Sequence, residues 1–256
     1  MKYTSFDQLI FDEEEIPIFV PVFNLVSYAK HMVAQLKEYG FSNFIICDND
    51  STYEPMVDYL ENLSKTDKVL FLGKNYGPRY FIENLQITSK MPKHFIITDP
   101  DLIFNPNMPK KTAISKMIRI AEMYDAAKCG LALEIFDAQE KELFFNKEQV
   151  FAWENNYWKK KISYEEERDP FYAAPIDTTF VVYRRDKYIS EFSKLKPPFD
   201  MSVNTSSIRV AGRFTCRHMG WWKDQPLTEE EYSYYRNTHK WSSTENEKVK
   251  MGYISS

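Results

Sequence analysis

Two carboxylates spaced by one residue, Asp99 and Asp101, close the apolar run His94-Phe95-Ile96-Ile97-Thr98. Such a run of β-branched and aromatic residues predicts a buried strand, and Pro100 between the acids stops it from continuing. In an open α/β sheet, ligands gather beyond the carboxyl ends of the strands. Paired hard oxygen donors at such an end suit a divalent cation, which in turn suits a phosphate-bearing substrate. Asp-Pro also punctuates ordinary turns. The weight of Asp99-Pro100-Asp101 therefore depends on what surrounds it.

The elements that would carry this motif alternate. Ile16 to Phe23 reads as a short buried strand, with Asn24 as the N-cap of a helix that runs to about Tyr39 and ends at Gly40. Asn43 to Cys47 is a second strand, closing on Asp48-Asn49-Asp50-Ser51-Thr52, and a helix spans about Glu54 to Leu63. Lys68 to Leu72 is a third strand, followed by the loop Gly73-Lys74-Asn75-Tyr76-Gly77-Pro78-Arg79 and a helix over Tyr80 to Leu85. The strand ending in Asp99 and Asp101 is the fourth. Alternation of this kind implies a parallel sheet with right-handed crossovers.

The second half is less regular. Lys110 to Asp125 reads as an amphipathic helix, Gly130 to Phe136 as a strand, and Lys141 to Asp169 as helix plus loop. Ala174 to Arg185 reads as a strand entered through Asp177, and Ile208 to Trp222 as a strand opening into an aromatic turn. From Thr228 a short acidic helix leads to a polar end. The 256 residues suit one large domain, with no internal repeat or linker. Its expected parts are a regularly alternating half over about 16–105, a less regular half over about 106–225, and a C-terminal helix and tail over 226–256.

Composition excludes several classes. A formal charge of −4 gives no nucleic-acid footprint. Cys47, Cys129 and Cys216 are too few and too scattered for a disulfide scaffold or a cysteine zinc site, which fits a reducing cytoplasm. Residues Met1 to Glu15 are polar and acidic where a signal peptide needs an apolar core, and no run approaches a membrane span. The expectation is a soluble, cytoplasmic chain.

From Ile16 to Trp222 the ordered motifs Pro21-Val22-Phe23-Asn24, Asp48-Asn49-Asp50-Ser51-Thr52, Asn75-Tyr76-Gly77-Pro78-Arg79, Asp99-Pro100-Asp101 and His218-Met219-Gly220-Trp221-Trp222 stand in one chain. In this order they resemble the GT-A class of nucleotide-sugar-dependent glycosyltransferases, particularly family-2-like bacterial enzymes of surface polysaccharide assembly. The resemblance implies a GT-A (Rossmann-like) α/β fold, with a mostly parallel central sheet flanked by helices and a less regular acceptor-side half.

It also implies roles. Pro21, Phe23, Asn24 and Asp48 would hold the nucleoside. Asn75 and Gly77 would lie near the nucleotide, and Arg79 would add a cationic contact to the diphosphate. Asp99 would reach the ribose and the metal, Asp101 would be the firmer metal ligand, and His218 would complete the metal site. The implied cofactor is Mn²⁺ or Mg²⁺, the imidazole tilting the choice toward Mn²⁺. The donor would be a UDP-sugar carrying a hexose, and the acceptor a glycan or lipid-linked glycan of capsule, O-antigen or similar synthesis at the inner face of the cytoplasmic membrane.

Asp177 is the preferred general base, since inverting members of the class place theirs between the metal motif and the late histidine. Their acidic pair leads into a helix, whereas Ile176-Asp177-Thr178-Thr179-Phe180 leads toward a strand. An acceptor-binding role, or a structural pairing with Arg184 or Arg185, therefore stays open. Glu134 and Asp137 stand in reserve. Trp221 and Trp222 read first as core caps. The stretch Trp153 to Lys161 reads as an aromatic helix packed on the sheet, and it could alternatively supply peripheral membrane contact. Two other functions are weighed. A sugar nucleotidyltransferase would favour a glycine-rich basic loop after the first strand, which is absent. A catalytically silent binding module would have no need of Asp99, Asp101 and His218 together.

Overall fold

The computed structural model describes residues 1–135, 147–195, 205–222 and 226–238. Phe136, Asp137 and Lys141 lie outside the described residues. In chain order the elements are β1 (Lys2–Tyr3), β2 (Ile18–Val22), α1 (Val26–Glu38), β3 (Phe44–Asp48), α2 (Glu54–Leu63), β4 (Lys68–Phe71), α3 (Tyr80–Glu83), α4 (Leu85–Thr88), β5 (His94–Ile97) and β6 (Leu102–Phe104). They continue with α5 (Ala113–Met123), β7 (Lys128–Leu133), α6 (Lys147–Glu154), β8 (Phe171–Ala173), β9 (Val181–Arg184), α7 (Arg185–Phe192), β10 (Ser207–His218) and α8 (Glu229–Thr238).

The strands form one sheet in the order β1-β4-β3-β2-β5-β9-β7-β10-β6, with β8 paired to β10. From β1 to β5 every pairing is parallel. Strand β9 then runs antiparallel to both β5 and β7, and β10 is parallel to β7. The expected α/β class holds, with its parallel part concentrated in the first half.

Burial follows the pleat. Ile18, Val20, Val22, Ile46 and Ile96 face one apolar cluster together with Met32, Leu36, Met56 and Leu60 from α1 and α2. Phe19, Ile45, Cys47, Phe95 and Ile97 face a second cluster with Phe81 and Tyr188. Alternate residues of each strand thus serve opposite faces, both covered by helices, so the strands read as continuous apolar runs. On α1, Ala29, Met32, Val33 and Leu36 recur at the spacing of one helical face.

Strand direction decides where the site must be. The carboxyl ends of β2, β3, β4, β5, β7 and β10 all point to one edge. The antiparallel β9 begins there, and β6 starts there with Leu102 opposite His218. Every sequence motif therefore arrives at the same edge.

Three local expectations are corrected. Helix α1 begins at Val26, and Asn24 does not cap it. Asn24 adopts a left-handed backbone at φ 54°, a conformation asparagine tolerates. The strand expected over Ala174 to Arg185 starts only at Val181, so Asp177 lies in the loop before β9. Finally, the run through Asp101 continues beyond the acids as β6, making Asp99-Pro100-Asp101 a corner between two strands rather than a terminus.

Candidate functional site

Asp101 and His218 meet at this edge. Asp101 Oδ2 lies 3.3 Å from His218 Nε2, and the Met219 N–H donates to the Asp101 carbonyl at 2.6 Å. The pairing of Leu102 with His218 in the β6–β10 ladder enforces this meeting. Trp221 stacks on His218 with ring centres 5.0 Å apart, whereas Trp222 is buried in the core. Gly220 packs closely against the pair: a Cβ there would lie 3.1 Å from His218 Cε1, a tight contact, and 3.5 Å from Asp101 Oδ2, an ordinary one. Asp101 Oδ1 and His218 Nδ1 are both buried without a hydrogen-bond partner. Orphaned buried polar atoms on a carboxylate and an imidazole are what a cation-binding pair would show.

Asp99 is engaged differently. Its Oδ2 accepts a hydrogen bond from Thr178 Oγ1 at 2.6 Å, and its N–H donates to the Thr178 carbonyl at 2.9 Å. Burial, together with the nearby charges of Asp101 and Asp177, holds its carboxyl well above the usual carboxylate range. Among the described residues, no three His, Cys, Asp or Glu side chains are gathered as a ready metal cluster. Asp101 and His218 stand in contact, and Asp99 is clasped to Thr178 beside them.

Arg79 and Asp177 form a second pair. Arg79 Nε donates to Asp177 Oδ1 at 3.0 Å and its Nη2 to Oδ2, a two-bond fork that leaves both side chains partly exposed. The open alternative of Asp177 pairing with Arg184 or Arg185 does not occur. Arg184 instead binds Asp125, and Arg185 binds Glu13 and Asp186.

The residues expected on the nucleoside side organise the loops. Pro21 is buried in β2 opposite Cys47. Asp48 is nearly buried and accepts the Ser51 N–H at 3.1 Å, and burial raises its carboxyl above the ordinary value. Asn24 has no exposed surface. Its Oδ1 accepts the N–H groups of Thr52 and Tyr53 at 2.7 and 2.9 Å, while its Nδ2 donates to Thr238. It ties the first loop to the second and to α8. Asn75 Oδ1 accepts the Gly77 N–H at 2.9 Å, shaping a turn whose Gly77 sits at φ 85°. Asn49 Oδ1 takes the Tyr76 N–H at 3.1 Å. Phe23 lies beside Tyr235, with ring centres 6.4 Å apart.

Sequence reading missed the partners that come from far away. Thr178 clasps Asp99, and Glu231 of α8 accepts the Ser27 N–H at 2.7 Å at the start of α1. Tyr28, buried on α1, is kept protonated by its burial and by the charges of Asp101 and Glu231. Of these, only Thr178 had a local signal, its place beside Asp177. The reserve candidate Glu134 is engaged by the Thr215 hydroxyl at 3.0 Å. Tyr157 lies against the Arg209 guanidinium and Trp158 packs on Tyr172, while Trp153 is exposed. Tyr157 and Trp158 thus each contact a residue of the sheet, in part as the first reading expects. No described helix is long and apolar enough to cross a membrane.

No protein-family model and no curated protein sequence matches the chain. Among solved structures, it is similar to residues of TarS from S. aureus at 17% identity and a TM-score of 0.35, covering 47% of this chain and 22% of that one. It is similar to GalNAc-T7, solved with UDP, GalNAc and Mn²⁺, at 10% identity and a TM-score of 0.41, covering 92% of this chain and 50% of that one. It is also similar to HddC from Yersinia pseudotuberculosis, solved with GMP-PN, at 11% identity and a TM-score of 0.44, covering 88% and 100%. The chain therefore spans half the length of GalNAc-T7 and about a fifth of that of TarS.

Proposed function

We propose that the chain is a metal-dependent glycosyltransferase that moves a hexose from a nucleoside-diphosphate donor, a UDP-sugar, to a glycan or lipid-linked glycan acceptor. The observation that carries this reading is the Asp101–His218 pair. It sits at the carboxyl edge of the sheet, has two orphaned buried atoms, and is joined there by a cationic Arg79. Asp101 and His218 would hold a divalent cation of the Mn²⁺ type. When bound, that cation supplies Lewis-acid stabilisation of the charge developing on the departing diphosphate.

The chain's own residues divide the remaining work. The fork of Arg79 matches a diphosphate as well as it matches a carboxylate. A donor that engages Arg79 competes with Asp177 for it and releases the Asp177 carboxylate. Asp177, partly exposed, is then placed to accept the proton of the attacking acceptor hydroxyl. Asp99 orders the Asp177 loop through Thr178, and the loops tied by Asn24, Asp48, Asn75 and Gly77 form the nucleoside side. The wider setting, bacterial surface polysaccharide synthesis at the cytoplasmic face of a membrane, is supported by the motif resemblance.

The test is a thermal-shift screen of sugar nucleotides with and without Mn²⁺, followed by transfer and donor-hydrolysis assays. A donor that stabilises only with the metal, and whose turnover is lost in Asp101→Ala, supports the reading. Unchanged activity in a folded Asp101→Ala protein would sink it.

A further inference from the structure

The loop that carries Asp177 is fixed residue by residue, by tethers from β7, β10, the loop before α3 and the corner between β5 and β6. The Pro175 carbonyl accepts a hydrogen bond from Arg209 Nε at 2.7 Å. The Ile176 carbonyl accepts one from Lys128 Nζ, also at 2.7 Å. Asp177 pairs with Arg79, Thr178 with Asp99, and Thr179 Oγ1 donates to the Leu131 carbonyl at 2.9 Å. The loop then turns into β9 through Phe180, whose backbone is left-handed at φ 51°.

Two of these tethers are buried cations. Lys128 has no exposed surface and Arg209 is 5% exposed. They stand on adjacent strands, with Lys128 opposite Ser207 and Gly130 opposite Arg209 in the β7–β10 ladder. Residues 128, 130 and 209 therefore share one face of the sheet. Gly130 shows what that face receives. A Cβ there would lie 2.7 Å from Ile176 Cδ1 and 3.0 Å from the Val181 backbone, so the missing side chain makes the seat for Ile176. Arg209 is balanced by Glu154 of α6 through a buried ion pair, and its guanidinium lies 4.1 Å from the Tyr157 ring centre.

Burying a lysine is costly unless its ammonium is well bonded, and burying an arginine is costly unless it is paired. A plain core would fill these positions with apolar side chains. Here both cations are instead directed at consecutive carbonyls immediately before Asp177.

We propose that Lys128 and Arg209 are positioning residues that lock the Pro175–Ile176 segment and thereby set the Asp177 carboxylate in its place opposite Arg79. This proposal rests on the transferase reading for its catalytic consequence. Its mechanical part stands on the loop alone. Both bond to the carbonyls just before Asp177 rather than to its carboxylate, so on this proposal both act through Asp177.

The experiment combines kinetics with amide hydrogen exchange on the full chain. Lys128→Met keeps length and bulk but loses the donor to Ile176. Arg209→Lys keeps a cation for Glu154 but loses the Nε contact with Pro175. Each folded variant is expected to lose about 10- to 100-fold in kcat, the scale of a misplaced catalytic group. KM for the donor and affinity for UDP with Mn²⁺ should stay within about threefold of wild type, a split that a merely structural defect would not give. Exchange over residues 175–180 should rise, while exchange in β2 and β3 does not.

In the wild type, the Phe180 amide, which donates to the Thr178 carbonyl at 3.0 Å, is expected to exchange nearly as slowly as the amides of β9. Fast exchange there overturns the lock, whatever the variants do. Faster loop exchange in a variant with unchanged kcat overturns the catalytic consequence. Wild-type protein inert toward every sugar nucleotide overturns the transferase reading, and the catalytic part with it. The exchange data then decide the mechanical part separately.

Discussion

Arg79 and Asp177, which the sequence assigns to opposite substrates, hold each other in a two-bond fork. A carboxylate gripped by a guanidinium has its oxygens occupied, and a guanidinium gripped by a carboxylate has its N–H groups occupied. Each becomes available only when something takes its partner. On the proposed reading the donor diphosphate takes Arg79, so donor binding comes before base activation.

The two substitutions should then behave differently. Asp177→Asn is expected to lower kcat by about 100-fold or more, as loss of a general base does. It should leave donor affinity unchanged or tighter, since the charged competitor for Arg79 is gone. Arg79→Ala is expected to weaken donor binding by about 10-fold or more, from loss of a charge-assisted bond. Initial-rate kinetics with varied donor distinguish them, and equal effects of the two substitutions on donor KM would overturn the exchange of partners.

The Asp101–His218 pair makes a prediction that needs no turnover. With donor nucleotide and Mn²⁺ at about 100 times Kd, binding adds about 2.7 kcal/mol to stability. For a chain of this size that is a rise in Tm of about 5–10 °C. His218→Ala and Asp101→Ala should each abolish the metal-dependent part of the rise. Persistence of the full shift in both variants would place the metal elsewhere.

What was legible in the sequence was local. Asp99-Pro100-Asp101 could be read because its acids are neighbours and the apolar run before them is a strand signal. The edge at which all the motifs meet could be read because parallel strands point one way. The pairings could not. Arg79 and Asp177 are separated by 98 positions and Ser27 and Glu231 by 204, and no spacing encodes either contact. Asn24 shows a second limit. Helix caps and left-handed loop positions favour the same residue for similar reasons, so local propensity could not choose between them. The fold chose the loop, where the Asn24 amide gathers two backbone N–H groups of the neighbouring strand's turn.

The cap that Asn24 does not give α1 comes from α8. Glu231 is 1% exposed, and its carboxylate accepts both the Ser27 N–H and the Ser27 hydroxyl, at 2.7 and 2.5 Å. A carboxylate at the first turn of a helix satisfies open N–H groups and complements the helix dipole. Tyr234 adds a bond to the Thr52 carbonyl at 2.9 Å and a ring contact with Tyr53. Glu231→Ala is expected to cost about 1–3 kcal/mol, from buried donors left unpaired, and to lower Tm by several degrees. Glu231→Gln, which keeps one acceptor oxygen, should recover part of the loss. Equal stability of wild type and the alanine variant in thermal melts would show that α8 does not anchor α1.

Asp169 carries the acid sensitivity of the second half. Its side chain is fully buried, and it accepts hydrogen bonds from Arg213 Nε at 2.9 Å, from the Arg213 N–H at 3.1 Å and from Lys116 Nζ at 3.0 Å. It thereby ties α5 to the irregular stretch of β10 between Val210 and Thr215. Burial opposes its ionisation, but the bonds from Arg213 and Lys116 outweigh burial and bring the carboxyl down from 3.8 to about 2. A carboxyl depressed in the folded state binds a proton more readily when unfolded, so stability falls with falling pH between the two values. The contribution of Asp169 is therefore complete above about pH 4 and is lost as pH drops toward 2. Asp67, Asp125 and Asp186 are also depressed and share that window, so the slope does not rest on one group. Asp169→Asn should lower stability at neutral pH by about 3 kcal/mol or more, because Arg213 and Lys116 lose a buried partner. The same variant should show a shallower decline between pH 4 and pH 2 in denaturant unfolding. A parallel decline in both proteins would mean that Asp169 is not held ionised by its two cations.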